Sequence, residues 1–246
     1  MHQAATGQVG QDARASHAGP NLAAMVWPEV TEVAAGRLLA LPVGATEQHG
    51  PHLPLGTDTL VATALAARLA ASRTDVWLAP ALPFGSSGEH AGFAGTLSIG
   101  QDALELVVTE LVRSADAFAG VVVVSGHGGN AAPLTRAAAT LVAEGRRVTV
   151  WWPRPPAGSD AHAGRTETSL LLALDPTAVR LSAAEAGDPR PLADLLPLLQ
   201  ASGVVAVSPN GVLGDPTGST AAEGAALLDT LAADLIDWVA AWAAAA

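Results

Sequence analysis

The sequence of 246 residues contains no cysteine, and this absence limits the chemistry available to the chain. Disulfide bonds and thiolate nucleophiles are excluded. Any bound metal ion must therefore be held by histidine, aspartate or glutamate side chains.

Basic residues are also few: 12 Lys and Arg stand against 23 Asp and Glu, which gives a formal net charge of -11. This balance argues against nucleic acid as a partner, because phosphate binding depends on clustered basic side chains.

Long apolar segments are missing as well. No stretch of about 18 residues lacks a charge or a turn signal, which argues against a membrane span. Residues 1–20 are polar and lack the charged start and apolar core of a secretory signal. They therefore predict a flexible N-terminal tail and a cytoplasmic location.

Half of the residues are apolar, and short apolar runs alternate with longer helical patterns. This alternation predicts one α/β domain over residues 21–246, a three-layer α/β/α fold with a mostly parallel central sheet flanked by helices. The predicted strands are Arg37–Val43, Asp75–Ala79, Gly120–Ser125 and Arg147–Trp152. The predicted helices are Thr59–Ser72, Gln101–Phe118, Asn130–Glu144, Thr166–Leu174, Pro191–Gln200 and Thr220–Ala245.

Three polar clusters follow predicted strands, at the end of the sheet where open parallel folds place their functional sites. The first contains Glu47, His49, His52 and Asp58; the second is Gly-His-Gly-Gly-Asn at 126–130; the third runs from His162 through Glu167. Imidazole and carboxylate ligands together suit Zn(II), Fe(II) or Mn(II). A carboxylate such as Asp58 can bridge two ions roughly 3.5–4 Å apart, and such a pair can hold a hydroxide nucleophile and polarise a carbonyl.

Each cluster also has a structural alternative. A histidine beside glycine in a turn is commonly a hydrogen-bonded structural residue, and Asp58 is well placed to cap the helix that follows it. Ser86 and Ser87 are weaker candidates for a nucleophile, because their segment misses the G-x-S-x-G spacing by one residue. Trp151 and Trp152 end a strand near the third cluster, where one can pack in the core and the other can face a pocket.

Four stretches carry specific motifs in a fixed order: PVGATEQHGPHLPLGTD at Pro42–Asp58, SGEHAGFAGTLSIG at Ser87–Gly100, VVSGHGGN at Val123–Asn130 and HAGRTETS at His162–Ser169. Together they resemble the creatininase (creatinine amidohydrolase) family over most of the chain after residue 40. The resemblance implies an α/β sandwich, a two-metal site and hydrolysis of an amide C–N bond. It also implies a homo-oligomer, commonly a hexamer.

The resemblance implies a role for each matching residue. Glu47, His49, Asp58 and His127 fall on family metal ligands, with Asp58 as the bridge, and His162 falls on the catalytic histidine of the family.

One departure from the family pattern changes the expected substrate. Creatininase has His-Tyr-Glu-Asn where this chain has His-Gly-Gly-Asn at 127–130, and the missing glutamate is a ligand of the second ion. Glu167 is the obvious replacement. Without the tyrosine and the glutamate, creatinine is not the expected substrate.

The C-terminal half resembles one branch of the family, in which the substrate is a modified precursor peptide. The matching stretches are PLADLLP at 191–197, GVVAVSP at 203–209, GVLGDP at 211–216 and TAAEG at 220–224. This resemblance implies release of a modified C-terminal Val-Tyr dipeptide.

The resulting hypothesis is a peptidase with two divalent ions, Fe(II) or Zn(II), with Mn(II) as an alternative. One ion is assigned to Glu47, Asp58 and His127, and the other to His49, Asp58 and Glu167. His162 is expected to protonate the leaving nitrogen, a role suited to an imidazole with an ordinary pKa of about 6.5. Substrate contacts are assigned to Glu89, His90 and Trp152.

Two other functions stay open on sequence grounds. A related enzyme could use the same ions to deformylate a pyrimidine ribotide or to open a cyclic amide, although Arg154 and Arg165 are the only basic residues near the clusters. Alternatively, the chain could be a metal-stabilised interaction protein that binds a precursor peptide without hydrolysing it.

Overall fold

Four short parallel strands form the central sheet in the computed structural model, which describes residues 20–154, 156 and 158–245. The strands are β1 (Leu38–Val43), β2 (Val76–Leu78), β3 (Gly120–Ser125) and β4 (Val148–Trp151). Their order across the sheet is β2-β1-β3-β4, and every neighbouring pair is parallel. The predicted parallel sheet is confirmed.

Helices cover both faces of this sheet. They are α1 (Trp27–Val33), α2 (Thr57–Ser72), α3 (Gln101–Ser114), α4 (Ala131–Ala143), α5 (Arg165–Leu174), α6 (Leu192–Val207) and α7 (Ala221–Ala244). The sequence did not predict α1. Helix α3 ends four residues before the predicted Phe118, because the chain turns there and Phe118 packs edge-on against Trp77 with ring centroids 6.0 Å apart.

Successive strand residues point to opposite faces and build two separate cores. In β1, Leu38 and Ala40 pack with α2, α5 and α7, whereas Leu39 and Leu41 pack with α3 and α4. All six residues of β3 are buried in the same alternating way. This burial on both faces explains why the strands are continuous apolar runs in the sequence.

Two glycines allow α2 to start directly against the ends of β1 and β3. A Cβ atom on Gly44 would collide with Thr59, and one on Gly126 would collide with the backbone of Asp58. The close approach brings the first turn of α2 to the carboxyl end of the sheet. Asp58 therefore lies beside the segments that follow both strands.

The predictions of an N-terminal tail and of a single domain can be compared with the structure only in part. Of the predicted N-terminal tail, only Pro20 lies inside the described range, and its carbonyl accepts a hydrogen bond from the Leu78 amide at 2.9 Å. The single-domain assignment stays a prediction. Within the described range, every helix is too short or too polar to cross a membrane.

Candidate metal centre

Three parts of the chain bring five predicted ligands together at the carboxyl end of the sheet. Glu47 and His49 come from the loop after β1, with Asp58 at the start of α2. His127 follows β3, and Glu167 lies in the first turn of α5. The first four are buried, and the Glu167 side chain is 23% exposed.

The first proposed ligand set has the spacing of groups that share one ion. His127 Nδ1 lies 3.2 Å from Glu47 Oε1 and 3.5 Å from Asp58 Oδ2. For comparison, two ligands each about 2.1 Å from a tetrahedral ion lie roughly 3.4 Å apart.

The second proposed set uses the other oxygen of Asp58. His49 Nε2 lies 3.1 Å from Asp58 Oδ1 and 3.9 Å from Glu167 Oε2. The two carboxylate oxygens of Asp58 thus face different imidazoles, which is the orientation required of a bridging ligand. The alternative role of Asp58 as a helix cap is wrong, because Gly56 occupies the cap position of α2 and Asp58 is already inside the helix.

Both oxygens of Glu47 and Oδ2 of Asp58 are buried and receive no well-formed hydrogen bond from the described residues, although imidazole nitrogens lie 3.2–3.5 Å from Glu47 Oε1 and Asp58 Oδ2. A buried carboxylate is strongly unfavourable unless it is paired with a positive charge or binds a metal. Together with imidazole nitrogens at ligand spacing, these oxygens make the cluster fit a divalent cation. Three overlapping groups have this spacing: Glu47, His49 and Asp58; His49, His162 and Glu167; and Glu47, His90 and His162.

Backbone carbonyls orient the two imidazoles of the proposed ligand sets. His49 Nδ1 donates to the carbonyl of Glu47 at 3.1 Å, and His127 Nε2 donates to the carbonyl of Ser86 at 3.0 Å. The remaining nitrogen of each ring therefore faces the carboxylates, and it offers a lone pair to a cation once the ring is neutral. Such outer hydrogen bonds are the usual means of fixing the tautomer of a ligating histidine.

Charges inside the cluster shift the pKa values of its members in opposite directions. Burial lowers the pKa of His49, but the carboxylates of Asp58, Glu167 and Glu47 together outweigh this effect and raise the value to about 10. His127 is likewise raised to a pKa of about 10, chiefly by Glu47, against the effect of burial. Burial raises the pKa of Asp58 to about 6. For Glu47 burial acts in the same direction, but the neighbouring imidazoles, His127 foremost, hold the pKa below its usual range.

His162 lies at the edge of this cluster. Its Nε2 donates to the carbonyl of Gln48 at 2.8 Å, and its Nδ1 lies 3.9 Å from Glu47 Oε1 and 4.0 Å from Glu167 Oε2. Burial, followed by the charge of His49, lowers the pKa of His162 to about 4. The ordinary pKa assumed from the sequence is therefore wrong, and His162 is uncharged near neutral pH.

Of the three predicted substrate contacts, His90 lies inside the cluster, whereas Glu89 and Trp152 lie at its border. His90 is buried, with Nε2 3.3 Å from Glu47 Oε1, so it belongs to the cluster itself. Glu89 Oε1 lies 3.5 Å from His127 Nε2 on the side of the ring that faces away from Glu47. Trp152 is 38% exposed and borders a cavity, whereas Trp151 is buried and donates from its indole nitrogen to Asp234 at 2.7 Å.

The same region explains the departure at position 129. A side chain there would collide with the Glu89 carboxylate, the His127 ring and the carbonyl of Ser86. Glycine is therefore the residue that this arrangement accommodates, and a carboxylate ligand must come from elsewhere in the chain.

Two residues next to the cluster were not singled out from the sequence. Gln48 is buried between His90 and His162. Asp160 accepts a hydrogen bond from the Thr166 amide at 3.0 Å and so caps α5 from outside the helix. Gln48 lies inside a recognised motif, whereas Asp160 lies outside every motif quoted above.

Three other polar residues do not join the proposed ligand sets. His52 Nε2 is 2.8 Å from the hydroxyl of Thr168, so this histidine supports α5. Ser86 contributes its backbone carbonyl to His127, and the buried hydroxyl of Ser87 has no hydrogen-bond partner among the described residues. No described contact pairs either serine hydroxyl with a histidine, as a serine nucleophile would need.

Two cavities open onto the cluster, and both are lined by Asp58, His127 and Glu167. The larger, of about 750 Å³, extends from Glu89 and His90 to the apolar face of α6. The smaller, of about 210 Å³, is bordered by Trp152 and apolar residues of α2, α5 and α7.

Comparison with known proteins agrees with this geometry. Residues 23–239 match the sequence model of the creatininase family, described as creatinine amidohydrolase. The chain is 50% identical over 214 residues to a protein of Mycobacterium tuberculosis (strain ATCC 25618 / H37Rv) named mycofactocin precursor peptide peptidase, covering 83% of this chain and 85% of that protein. A protein of the same name from Mycolicibacterium smegmatis (strain ATCC 700084 / mc(2)155) is 46% identical over 211 residues, with the same coverage.

Solved structures of similar fold are creatininases. One described as "Creatininase Mn" has a TM-score of 0.74 and 26% identity, covering 90% of this chain and 97% of that one. A creatininase mutant described as "Zn-Zn type" has the same TM-score and coverage at 25% identity. The chain therefore belongs to the creatininase family and is a hydrolase that acts on amide or peptide C–N bonds.

Proposed function

We propose that this protein is a metal-dependent peptidase that releases the modified C-terminal Val-Tyr dipeptide from a mycofactocin precursor peptide. The observation that carries the proposal is the 50% identity, over most of both chains, to proteins that bear the name of that peptidase. The cluster adds a chemical reason, since its buried carboxylates and imidazoles fit divalent ions.

The proposed ligands divide into two sets. Glu47, Asp58 and His127 would hold one ion, and His49, Asp58 and Glu167 the other. Bound there, two divalent ions would activate water and polarise the carbonyl of the scissile bond. Fe(II), Zn(II) and Mn(II) all suit this donor set.

His162 is the proposed proton carrier. Its Nε2 hydrogen is engaged by the carbonyl of Gln48, so the lone pair is at Nδ1, on the side of Glu47 and Glu167. Because the ring is uncharged near neutral pH, Nδ1 can accept a proton as the carbonyl is attacked. The same atom can then deliver that proton to the leaving nitrogen.

The two cavities favour a substrate that extends on both sides of the cleaved bond. A small cyclic amide would occupy one side of the cluster only, whereas a peptide has groups to place in each cavity. The wider cavity can accommodate the peptide body, and the narrower one beside Trp152 can accommodate an apolar side chain of the released part.

A phosphorylated substrate, such as a pyrimidine ribotide, is less well supported. Arg165 is paired with Glu223 at 2.9 Å, and Arg154 lies against the ring of Trp238 with Asp234 3.7 Å away. Both cations are therefore already engaged with α7. Neither borders the larger cavity as far as the described residues define it.

The decisive experiment incubates the purified protein, reconstituted separately with Fe(II), Zn(II) or Mn(II), with the modified precursor peptide. Mass spectrometry should detect a free C-terminal dipeptide and a precursor shortened by the same mass. Glu47→Gln should abolish release, and Glu185→Gln, the same change at an exposed position away from the cluster, should not.

Two results would contradict the proposal. Peptide binding without cleavage under all three metals would favour an interaction protein, and cleavage of a cyclic or formyl amide alone would favour the related amidohydrolase. The expected homo-oligomer stays a prediction.

A further inference from the structure

Gln48 is buried at the meeting point of two histidines and two backbone groups. Its side-chain nitrogen Nε2 lies 2.9 Å from His90 Nδ1, 3.0 Å from His162 Nε2 and 3.0 Å from the carbonyl oxygen of Gly211. Its side-chain oxygen accepts a hydrogen bond from the Gly50 amide at 2.9 Å. A residue with this many polar contacts between two imidazoles can decide where their hydrogens lie.

The backbone partners assign the orientation of the Gln48 amide. The Gly50 N–H can only donate, so it must face the amide oxygen, and the Gly211 carbonyl can only accept, so it must face the amide nitrogen. Rotating the amide by 180° would place two donors together and two acceptors together. The hydrogen-bond partners therefore determine which atom of Gln48 faces His90.

The amide hydrogens can then be assigned one by one. His162 Nε2 lies 2.8 Å from the backbone carbonyl of Gln48, which needs a donor, so this nitrogen carries its own hydrogen. The Gln48 amide consequently has two hydrogens for two acceptors. One goes to the carbonyl of Gly211, and the other goes to His90 Nδ1.

A nitrogen that accepts a hydrogen bond has no hydrogen of its own. His90 is therefore the neutral tautomer with its hydrogen on Nε2, the atom that faces Glu47 Oε1 at 3.3 Å. An Nε2 atom in this state offers no lone pair to a cation, although its distance from Glu47 and His162 would suit a ligand.

The geometry points to Gln48 as a positioning residue that locks His90 in its Nε2–H tautomer, so that His90 supports Glu47 and stays out of the metal ligand set. The inference rests on the proposed function only in taking Glu47 as a ligand. Gln48 thus orients both histidines: its backbone carbonyl orients His162, and its side-chain amide orients His90. Gln48→Glu should lower kcat about 10- to 100-fold, the range typical for loss of a group that orients a metal ligand, with little change in KM.

The direct test is the long-range ¹H–¹⁵N spectrum of protein labelled at its seven histidines, which separates the two neutral tautomers and the cation. Signals that disappear in His90→Gln identify His90. The wild-type protein should show His90 neutral with its hydrogen on Nε2. In Gln48→Glu the carboxylate cannot donate, so Nδ1 should gain a hydrogen. The matched control Gln101→Glu should leave the His90 signals unchanged.

Metal content supplies a second readout that does not depend on turnover. His90→Gln keeps an N–H that can face Glu47, so it should bind as many ions per chain as the wild type, while Glu47→Gln should lose metal. A hydrogen on Nδ1 of His90 in the wild type, or metal loss in His90→Gln, would overturn the inference. Failure of the peptidase assay alone would count against the proposed substrate and would leave the tautomer assignment standing.

Discussion

At the scale of single residues, Asp58 shows how position and chemistry combine. The first turn of a helix favours a carboxylate because of the helix dipole, so Asp58 stabilises α2 and also faces the cluster. Its two oxygens point to His49 and His127, which come from different loops. An aspartate at a helix start is ordinarily explained as a residue that stabilises the helix, and only these contacts favour the proposed bridging role of Asp58.

Replacing His162 should reduce catalysis without reducing metal binding. In His162→Gln the proposed proton carrier is lost while both ligand sets remain, so kcat should fall by about 10²- to 10⁴-fold, the usual contribution of a general acid or base. Metal content, measured by mass spectrometry of the purified protein, should stay the same. Metal loss in this variant would instead make His162 a ligand, a role that its spacing from Glu47 and His90 also permits.

At the scale of elements, the start of α5 depends on a residue outside the helix. Asp160 accepts a hydrogen bond from the Thr166 amide and also contacts the Arg165 amide, so its carboxylate caps the helix that carries Glu167. Gly164, at the helix cap position, has no room for a side chain beside Asp160. The position of Glu167 is therefore set by the loop before α5 as well as by the helix.

Asp160→Ala should lower the free energy of unfolding by about 1 kcal/mol, as expected for a lost cap, and should weaken metal binding about 10- to 100-fold. Asp175→Ala provides the matched control, because Asp175 caps the short turn Pro176–Ala178 through the Thr177 amide at 3.1 Å. Urea denaturation and metal titration should show a stability loss in both variants. Weaker metal binding in the control as well would contradict a specific role for Asp160.

Helix α6 changes direction at Gly203, where φ is 72° and ψ is 174°. Residues other than glycine rarely adopt this backbone conformation. A Cβ atom at this position would also lie 3.0 Å from the backbone oxygen of Glu89. The predicted helix Pro191–Gln200 corresponds to the segment before this kink. The kink brings the second segment of α6 against the Glu89 loop, so both border the larger cavity.

Gly203→Ala should therefore cost about 1–3 kcal/mol of stability and raise KM, because it strains α6 and displaces the loop that borders the cavity. Gly36→Ala is the control, because no described atom lies within 4 Å of the added Cβ. This variant should change neither the free energy of unfolding nor KM appreciably. Urea denaturation and steady-state kinetics would check both variants. An unchanged KM in Gly203→Ala would show that α6 does not position the substrate.

At the scale of the whole molecule, the cluster should couple metal binding to folding. The proposed ligands come from segments separated by up to 120 positions, so the unfolded chain cannot present them together. At free metal about 100 times Kd, binding should add about 2.7 kcal/mol, or roughly 5–10 °C in Tm for a chain of this length. Calorimetry with and without a chelator would measure this shift, and a Tm insensitive to metal would contradict the assignment of the cluster.

The amino-acid pattern was enough to predict the parallel sheet, the helices packed on it and the location of the cluster at the carboxyl end of the sheet. These features follow from local periodicity and from motifs that each lie within one loop, which is why β3 and the segment at 126–130 could be identified without coordinates. The resemblance of the chain to the creatininase family rested on the order of its motifs, which is also a property of the sequence alone.

The effects of these groups on one another follow only from the folded structure. The lowered pKa of His162 and the pairing of Gln48 with His90 depend on burial and on contacts between residues from different loops. Spacing along a sequence indicates which side chains are chemically competent. Desolvation and hydrogen-bond direction, which set charge and tautomer, exist only once the loops at the carboxyl end of the sheet have packed together.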